Sequence, residues 1–295
     1  MKISRLILCL MVFAFPAFAD DNHPSTIEDF NRAIAINPRS ADAYFDRGLL
    51  WVKQGKLSPA IADFSQTITL SPQDMEAYYS RANAYAQQKS FMQAIVDYNK
   101  VIELDPSDAT VYYNRGLSYS NTGNTAQAIA DFTQAIKINP DYAASYHNRA
   151  LSWDKVGDPV KAMADMNKSI ALDPNDALSY YNRGNLNEKK GLLNDAINDF
   201  SKAIQLDPDN AQAYTNRGEV YVQQDDLPQA RFDFSKAIEI DPRMAVAYNN
   251  RAIVYYQLKE FKKAWGDLNQ AMALGFAPDP RFISTVKKAV DRTSN

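Results

Sequence analysis

Cysteine and histidine are almost missing from this chain. Cys9 is the single cysteine, and His23 and His147 are the two histidines, in 295 residues. One thiol near the start supports neither a disulfide nor a thiolate site in the rest of the chain, which can therefore fold in an oxidising compartment without mispairing. The histidines lie far apart, and no Gly-rich phosphate loop or spaced set of metal ligands is present. The usual motifs of catalysis and cofactor binding are thus unrepresented, and no enzyme, metal or cofactor is expected. Basic clusters are missing as well. The formal charge is -3, and no run of Lys and Arg exists to displace counterions from a phosphate backbone, which argues against nucleic acid as a partner. Charged residues make up 23% of the chain, an ordinary share that does not point to disorder.

Proline, by contrast, recurs at a fixed step. Pro38, Pro72, Pro106, Pro140, Pro174, Pro208 and Pro242 stand 34 residues apart, each two residues after a Leu or Ile. Tyr44, Tyr78, Tyr112, Tyr146, Tyr180, Tyr214 and Tyr248 form a second row with that step. Arg47, Arg81, Arg115, Arg149, Arg183, Arg217 and Arg251 form a third, each followed by Gly or Ala. Ala60 and its six equivalents form a fourth, and three residues after each comes Asp63, Asp97, Asp131, Asp165, Asp199, Asp233 or Asp267. A single core would be near its size limit at this length, but an array whose units touch only their neighbours escapes that limit. A fixed period of this length marks stacked repeats.

Within one period a Tyr is followed by Gly or Ala, by Tyr or Trp, by Ala, by an aromatic and by Pro, as in Tyr112, Gly116, Tyr119, Ala128, Phe132 and Pro140. This pattern resembles the tetratricopeptide repeat family. The resemblance covers seven repeats, 41–74, 75–108, 109–142, 143–176, 177–210, 211–244 and 245–278. It implies an all-α fold, an α-solenoid in which antiparallel helix pairs build a right-handed superhelix, with a concave groove lined by the first helix of each pair.

Residues 1–19 read as a secretory signal: Lys2 and Arg5, an apolar run from Leu6 to Phe15, then Ala17-Phe18-Ala19 before Asp20. The run is too short for a comfortable membrane span. Cleavage after Ala19 is expected, giving a bacterial protein that is exported, periplasmic or secreted, with no stable membrane span left. Residues 20–40 read as a half repeat with only its second helix, opened by a capping box at Ser25 and Glu28. Phe30 and Ala33 then lack a first helix of their own repeat to cover them, so this edge is expected to be sticky, with homodimerisation as one result. Inside the repeats, Gly55, Gly123, Gly157 and Gly191 separate the two helices, and Ser58-Pro59 and Asp158-Pro159 read as a cap followed by a first-turn proline. Residues 279–295 read as a capping helix with Phe282, Val286, Ala289 and Val290 on its inner face.

The Arg row falls on the first helix of each repeat and the Asp row on the second. Seven equal copies read as a structural ladder of two-pronged Arg–carboxylate pairs rather than as ligand sites. Pairing within repeats would leave Asp29 over; pairing between repeats would leave Asp267 over. The surface that varies from repeat to repeat is the candidate for binding. On it Tyr79, Tyr113, His147 and Tyr181 stand beside Asn114, Asn148 and Asn182. Aromatic faces can stack on a partner, and an amide can both donate to and accept from an extended peptide; the same amides can equally bond neighbouring helices or water. His147 occupies a row of aromatics and reads as a polar aromatic rather than a base. The leading function is a non-catalytic scaffold of the cell envelope that binds a peptide or protein in the groove. The alternatives are a glycan-binding module, since rings and amides also suit sugars, and a self-assembling structural protein.

Overall fold

The computed structural model describes residues 25–293. The secretory-signal reading of residues 1–19, and His23, fall outside the described residues. Among the described residues there are sixteen α-helices and no strand, so the fold is an all-α solenoid of helix pairs. The helices divide into two compact units, residues 1–84 and 85–295.

The first unit holds α1 (Ile27–Ile36), α2 (Ala41–Lys53), α3 (Leu57–Leu70) and most of α4 (Met75–Gln87), in whose last turn the division falls. α1 packs on α2 and α2 on α3. Ala60, Phe64 and Ala84 are buried together, with Leu49, Trp51 and Ile61 around them. The capping box of α1 belongs to Thr26 and Asp29, not to Ser25 and Glu28. The Asp29 N–H donates to Thr26 Oγ1 at 3.2 Å and the Thr26 N–H to Asp29 Oδ2 at 3.1 Å. The helix starts at Ile27, so its third residue is Asp29. The Thr26 hydroxyl, then Arg32, hold the Asp29 carboxyl down at about 2. The sticky edge is also corrected, because Phe30 is only 7% exposed. It turns into the unit as α1 packs on α2; the exposed large apolar side chain of α1 is Ile36. Ser58 is not a cap either. α3 opens two residues earlier, behind Lys56, with no side-chain cap bond.

The second unit holds α5 (Phe91–Leu104), α6 (Ala109–Asn121), α7 (Thr125–Ile138), α8 (Ala143–Val156), α9 (Pro159–Leu172), α10 (Ala177–Lys189), α11 (Leu193–Leu206), α12 (Ala211–Gln223), α13 (Leu227–Ile240), α14 (Ala245–Gln257), α15 (Phe261–Ala273) and α16 (Pro280–Thr293). Each first helix packs on its own second helix, and each second helix on the next first helix. The first helices of neighbouring pairs also touch, α6 on α8, α10 on α12 and α12 on α14. Second helices do not approach one another to that degree, so the first helices form the inner, concave layer of this unit. α16 closes the end, with Val286 fully buried against Ala252, Ala264 and Leu268 and Phe282 edge-on to Tyr256.

Two local rules recur along the chain. The residue between the helices takes a left-handed conformation, at Gly55, Gly123, Gly157 and Gly191 but also at Lys89, Asp225 and Lys259, with φ from 61° to 84°. The turn geometry is therefore common to all seven repeats even where the glycine is not. Where the residue after Arg is a glycine, it faces the Phe ring sixteen positions on. A Cβ on Gly116 would come within 2.8 Å of the Phe132 ring, and one on Gly218 within 2.8 Å of Phe234. Where Met166 or Leu268 replaces the ring, Ala150 or Ala252 is accommodated.

Gly116→Ala and Gly266→Ala separate helix propensity from packing. An alanine at Gly266 meets nothing within 4 Å, so it should stabilise by about 0.5–1 kcal/mol. At Gly116 the overlap with Phe132 should instead cost about 1–3 kcal/mol. Urea unfolding of both variants checks the opposite signs.

Candidate functional site

Six Arg–Asp pairs of the expected ladder lie inside one unit. They join Arg47 to Asp63, Arg115 to Asp131, Arg149 to Asp165, Arg183 to Asp199, Arg217 to Asp233 and Arg251 to Asp267. All are pairs within one repeat. In each, Nε and Nη2 donate to the two carboxylate oxygens at 2.6–2.9 Å, the bidentate fork that arginine's planar group provides. Arg81 belongs to the first unit and the buried Asp97 to the second. Asp29, at the start, is taken by its own capping box and by Arg32.

The third arginine nitrogen reaches backwards. Nη1 donates to the side chain sixteen residues earlier, on the second helix of the preceding repeat: Asn31, Ser65, Asn99, Thr133, Asn167, Ser201 and Ser235, at 2.6–3.0 Å. One guanidinium therefore ties two repeats, although its carboxylate partner, in the six pairs above, is the Asp of its own repeat and the contact to the preceding repeat is to a neutral oxygen. The row of small polar acceptors escaped the sequence reading because its identity alternates among Asn, Ser and Thr; its common property is a short side-chain oxygen. Beneath every guanidinium lies the Tyr three residues before it, with the ring centroid 5.5–5.7 Å away. Burial raises the Asp131 and Asp233 carboxyls above their usual range, against the pull of Arg115 and Arg217. The hydrogen bonds that Arg47 and Arg183 donate to Asp63 and Asp199 push the two guanidinium groups up.

The expected groove residues divide by unit and by exposure. Tyr79 is half-buried on α4 of the first unit. In the second unit Tyr113 and His147 are only 5% and 6% exposed. They are not open stacking faces. Tyr113 packs on Phe132 of its own repeat and Tyr142 of the junction that follows. Tyr181, Asn114, Asn148 and Asn182 are half-buried on the concave layer. The amides reach back one repeat. Asn148 Nδ2 donates to the Tyr113 hydroxyl at 3.1 Å and to the Ala144 carbonyl at 2.9 Å. Asn216 Nδ2 donates to the Tyr181 hydroxyl at 3.1 Å and to Asn185 Oδ1 at 2.7 Å. Asn182 Nδ2 meets His147 Nε2 at 3.2 Å. The Ala144 carbonyl can only accept, which fixes the Asn148 amide with its nitrogen inward. The oxygens of Asn148 and Asn182 have no donor among the described residues and remain as the ends a partner can reach.

His147 has further partners. Its Nδ1 lies 2.7 Å from Ser179 Oγ and 3.6 Å from Asp176 Oδ2. Asp176 caps α10, taking hydrogen bonds from the Leu178 and Ser179 N–H groups and the Ser179 hydroxyl. Burial pushes the imidazole below its usual value, and the Asp176 charge partly opposes that. Farther along the same two helices, Lys189 pairs with Asp154.

Models of the tetratricopeptide repeat match residues 16–82, 109–142, 166–198 and 211–244, and a model described as TPR repeat matches 82–123 and 189–225. Together they cover most of the chain. Among solved structures, YrrB, described as a TPR protein with an unusual peptide-binding site, is 26% identical over 62% of this chain and 95% of its own, with a TM-score of 0.53. MamA is 26% identical over 56% of this chain and 96% of its own, also with a TM-score of 0.53. A tetratricopeptide repeat protein from Parabacteroides merdae covers 87% of this chain and all of its own, with a TM-score of 0.64 at 18% identity, a likeness of fold alone. No curated protein matches the chain.

Arg217 tests the ladder, since Asp233 beneath it is 0% exposed. Arg217→Ala strands a buried carboxylate and should cost about 3–5 kcal/mol. Adding Asp233→Leu should restore part of that loss, because a pair replaced by apolar groups no longer leaves a charge unpaired. Thermal melts of the single and double variants check the order.

Proposed function

Because the chain belongs to the tetratricopeptide repeat family, we propose that it is a non-catalytic scaffold that holds an extended peptide or protein segment along the concave layer of its second unit, in the bacterial cell envelope. One observation carries this reading. The Arg, Asp and Tyr rows are the same in every copy, whereas on the concave layer an aromatic row that changes identity runs beside an Asn row, and among the described residues the oxygens of Asn148 and Asn182 have no protein donor. An extended peptide offers backbone N–H groups at regular intervals, and a row of acceptors suits them. Tyr181, half-exposed beside them, supplies an apolar face. The likeness to YrrB supports a peptide as the occupant. Tyr113 and His147 act from below, by positioning Asn148 and Asn182.

The envelope location rests on the leader: Lys2 and Arg5, the apolar run, and Ala17-Phe18-Ala19. Among the described residues no helix is long and apolar enough to cross a membrane.

A photo-crosslinking residue at Asn182 should capture the partner in intact cells, whereas one at the exposed Phe232 on α13 should not. With the captured segment in hand, Tyr181→Ala combined with Asn148→Ala should weaken binding by about 2 kcal/mol or more. Unchanged affinity in a folded variant would move the site off the concave layer. For the leader, the mature protein isolated from cells should begin at Asp20, as read by mass spectrometry of its N-terminal peptide.

A further inference from the structure

The three junctions α6–α8, α8–α10 and α10–α12 share one arrangement, an amide of the later helix held by a side chain of the earlier one. At two of them the holder is a tyrosine hydroxyl, Tyr113 for Asn148 and Tyr181 for Asn216. A phenol keeps its proton throughout the physiological range. At the middle junction the holder is His147, whose second ring nitrogen is engaged from below. An imidazole is the one such group that titrates within that range.

The proton positions follow from the partners. The Asp176 carboxylate only accepts, so the Ser179 hydroxyl gives its proton to Asp176. Ser179 Oγ then accepts from His147, which places the imidazole proton on Nδ1. Nε2 is left with a lone pair and accepts from Asn182 Nδ2 at 3.2 Å. The amide is thereby held with its nitrogen inward and its oxygen as the open end. A proton added at Nε2 would set two donors against each other. Rotating the amide by half a turn relieves this, bringing Oδ1 to the imidazolium and leaving Nδ2 as the open end.

We propose that His147 sets the polarity of the concave layer at Asn182, presenting an acceptor when neutral and a donor when protonated. His147 is a positioning residue, and its consequence for partner choice rests on the groove reading above. The charged and titratable surroundings are few. α10 and its cap bring Asp176, 3.6 Å from Nδ1, along with Ser179 and Asn182. α9 brings Ser169, whose hydroxyl donates to the Ala143 carbonyl and lies 3.2 Å from Ser179 Oγ. On α8 itself, Asp154 is paired with Lys189. Burial of His147 favours the neutral form and Asp176 favours the charged form, with burial the larger effect. A histidine held below its ordinary value contributes stability above that value, and loses it as the pH falls through the lower, folded value. The acceptor state is therefore the neutral-pH state, and the switch belongs on the acid side of the ordinary imidazole range.

The test needs no partner. Nitrogen-15 NMR of residues 20–295 between about pH 7.5 and about pH 4.5 reads both imidazole nitrogens of His147 and the side-chain amide of Asn182. The expected result is a neutral ring protonated on Nδ1, acquiring its second proton on Nε2 below the ordinary imidazole value, with the Asn182 amide shifting at the same midpoint. His147→Tyr copies the neighbouring junctions and should leave the Asn182 amide unmoved over that range. A neutral ring protonated on Nε2, an Asn182 amide that stays still while His147 titrates, or no titration of His147 would each overturn the proposal, and the wild-type spectra suffice if the variant does not fold. Failure here leaves the groove reading standing. Loss of the groove reading, by unchanged affinity in the Tyr181 and Asn148 double variant, leaves these spectra unaffected.

Discussion

The fold depends on a guanidinium with all three of its nitrogens in use. Nε and Nη2 hold the Asp of the same repeat, Nη1 holds an oxygen of the preceding repeat, and the plane of the group lies on a tyrosine ring. Lysine could not replace it, since a point charge on a flexible stem cannot present three directed donors in one plane. The arrangement explains why the Asp row is buried yet tolerated. A carboxylate out of water is costly alone, but here both its oxygens are occupied by a two-pronged cation. It also explains why Arg, Asp, Tyr and the small residue after Arg are copied without exception. Asp and Tyr both engage the one guanidinium, so neither can drift without it.

Most of this was legible in the sequence because it repeats. The period of the prolines marks the stacking, and Tyr112, Gly116 and Phe132 reveal which faces meet. The Arg and Asp rows announce a ladder. What the rows could not convey was direction. Asp29 and Asp267 are equivalent as the unpaired end in the sequence, but the structure pairs Arg251 with Asp267 and leaves Asp29 to its own cap and Arg32. The oxygen row of Asn31, Ser65 and Asn99 stayed hidden because the requirement is for an acceptor of short reach, which three residue types satisfy. The turn row was only partly visible for a similar reason. Glycine marks the left-handed residue in four repeats, while Lys89, Asp225 and Lys259 adopt it at some cost because the helices on either side dictate it.

The groove was less legible than the ladder. Tyr113 and His147 were assigned to an open face from their spacing, but spacing gives a direction from the helix axis and not the depth of the neighbouring repeat. Tyr142 and Asp176, at the start of the following helix, fill that depth. The misreading of Phe30 has the same origin, since α2 covers what a missing partner helix would have covered.

The junctions then differ in a way the ladder does not. In three repeats the side chain one position after the repeated Tyr meets the last residue of its own repeat, which caps the next helix: Tyr113 packs tilted on Tyr142 with centroids 4.9 Å apart, His147 lies 3.6 Å from Asp176, and Thr215 Oγ1 lies 3.1 Å from Met244 Sδ. Ring on ring, imidazole by carboxylate and hydroxyl by thioether are matched pairs that do not interchange. Both members of each pair lie in one repeat and travel with it. What joins one repeat to the next at this layer is the amide bond, from Asn148 to Tyr113, between Asn182 and His147, and from Asn216 to Tyr181. Since Asn148 and Asn182 also carry the oxygens left open on the concave layer, the contact that joins two repeats also sets the chemical group presented on that surface.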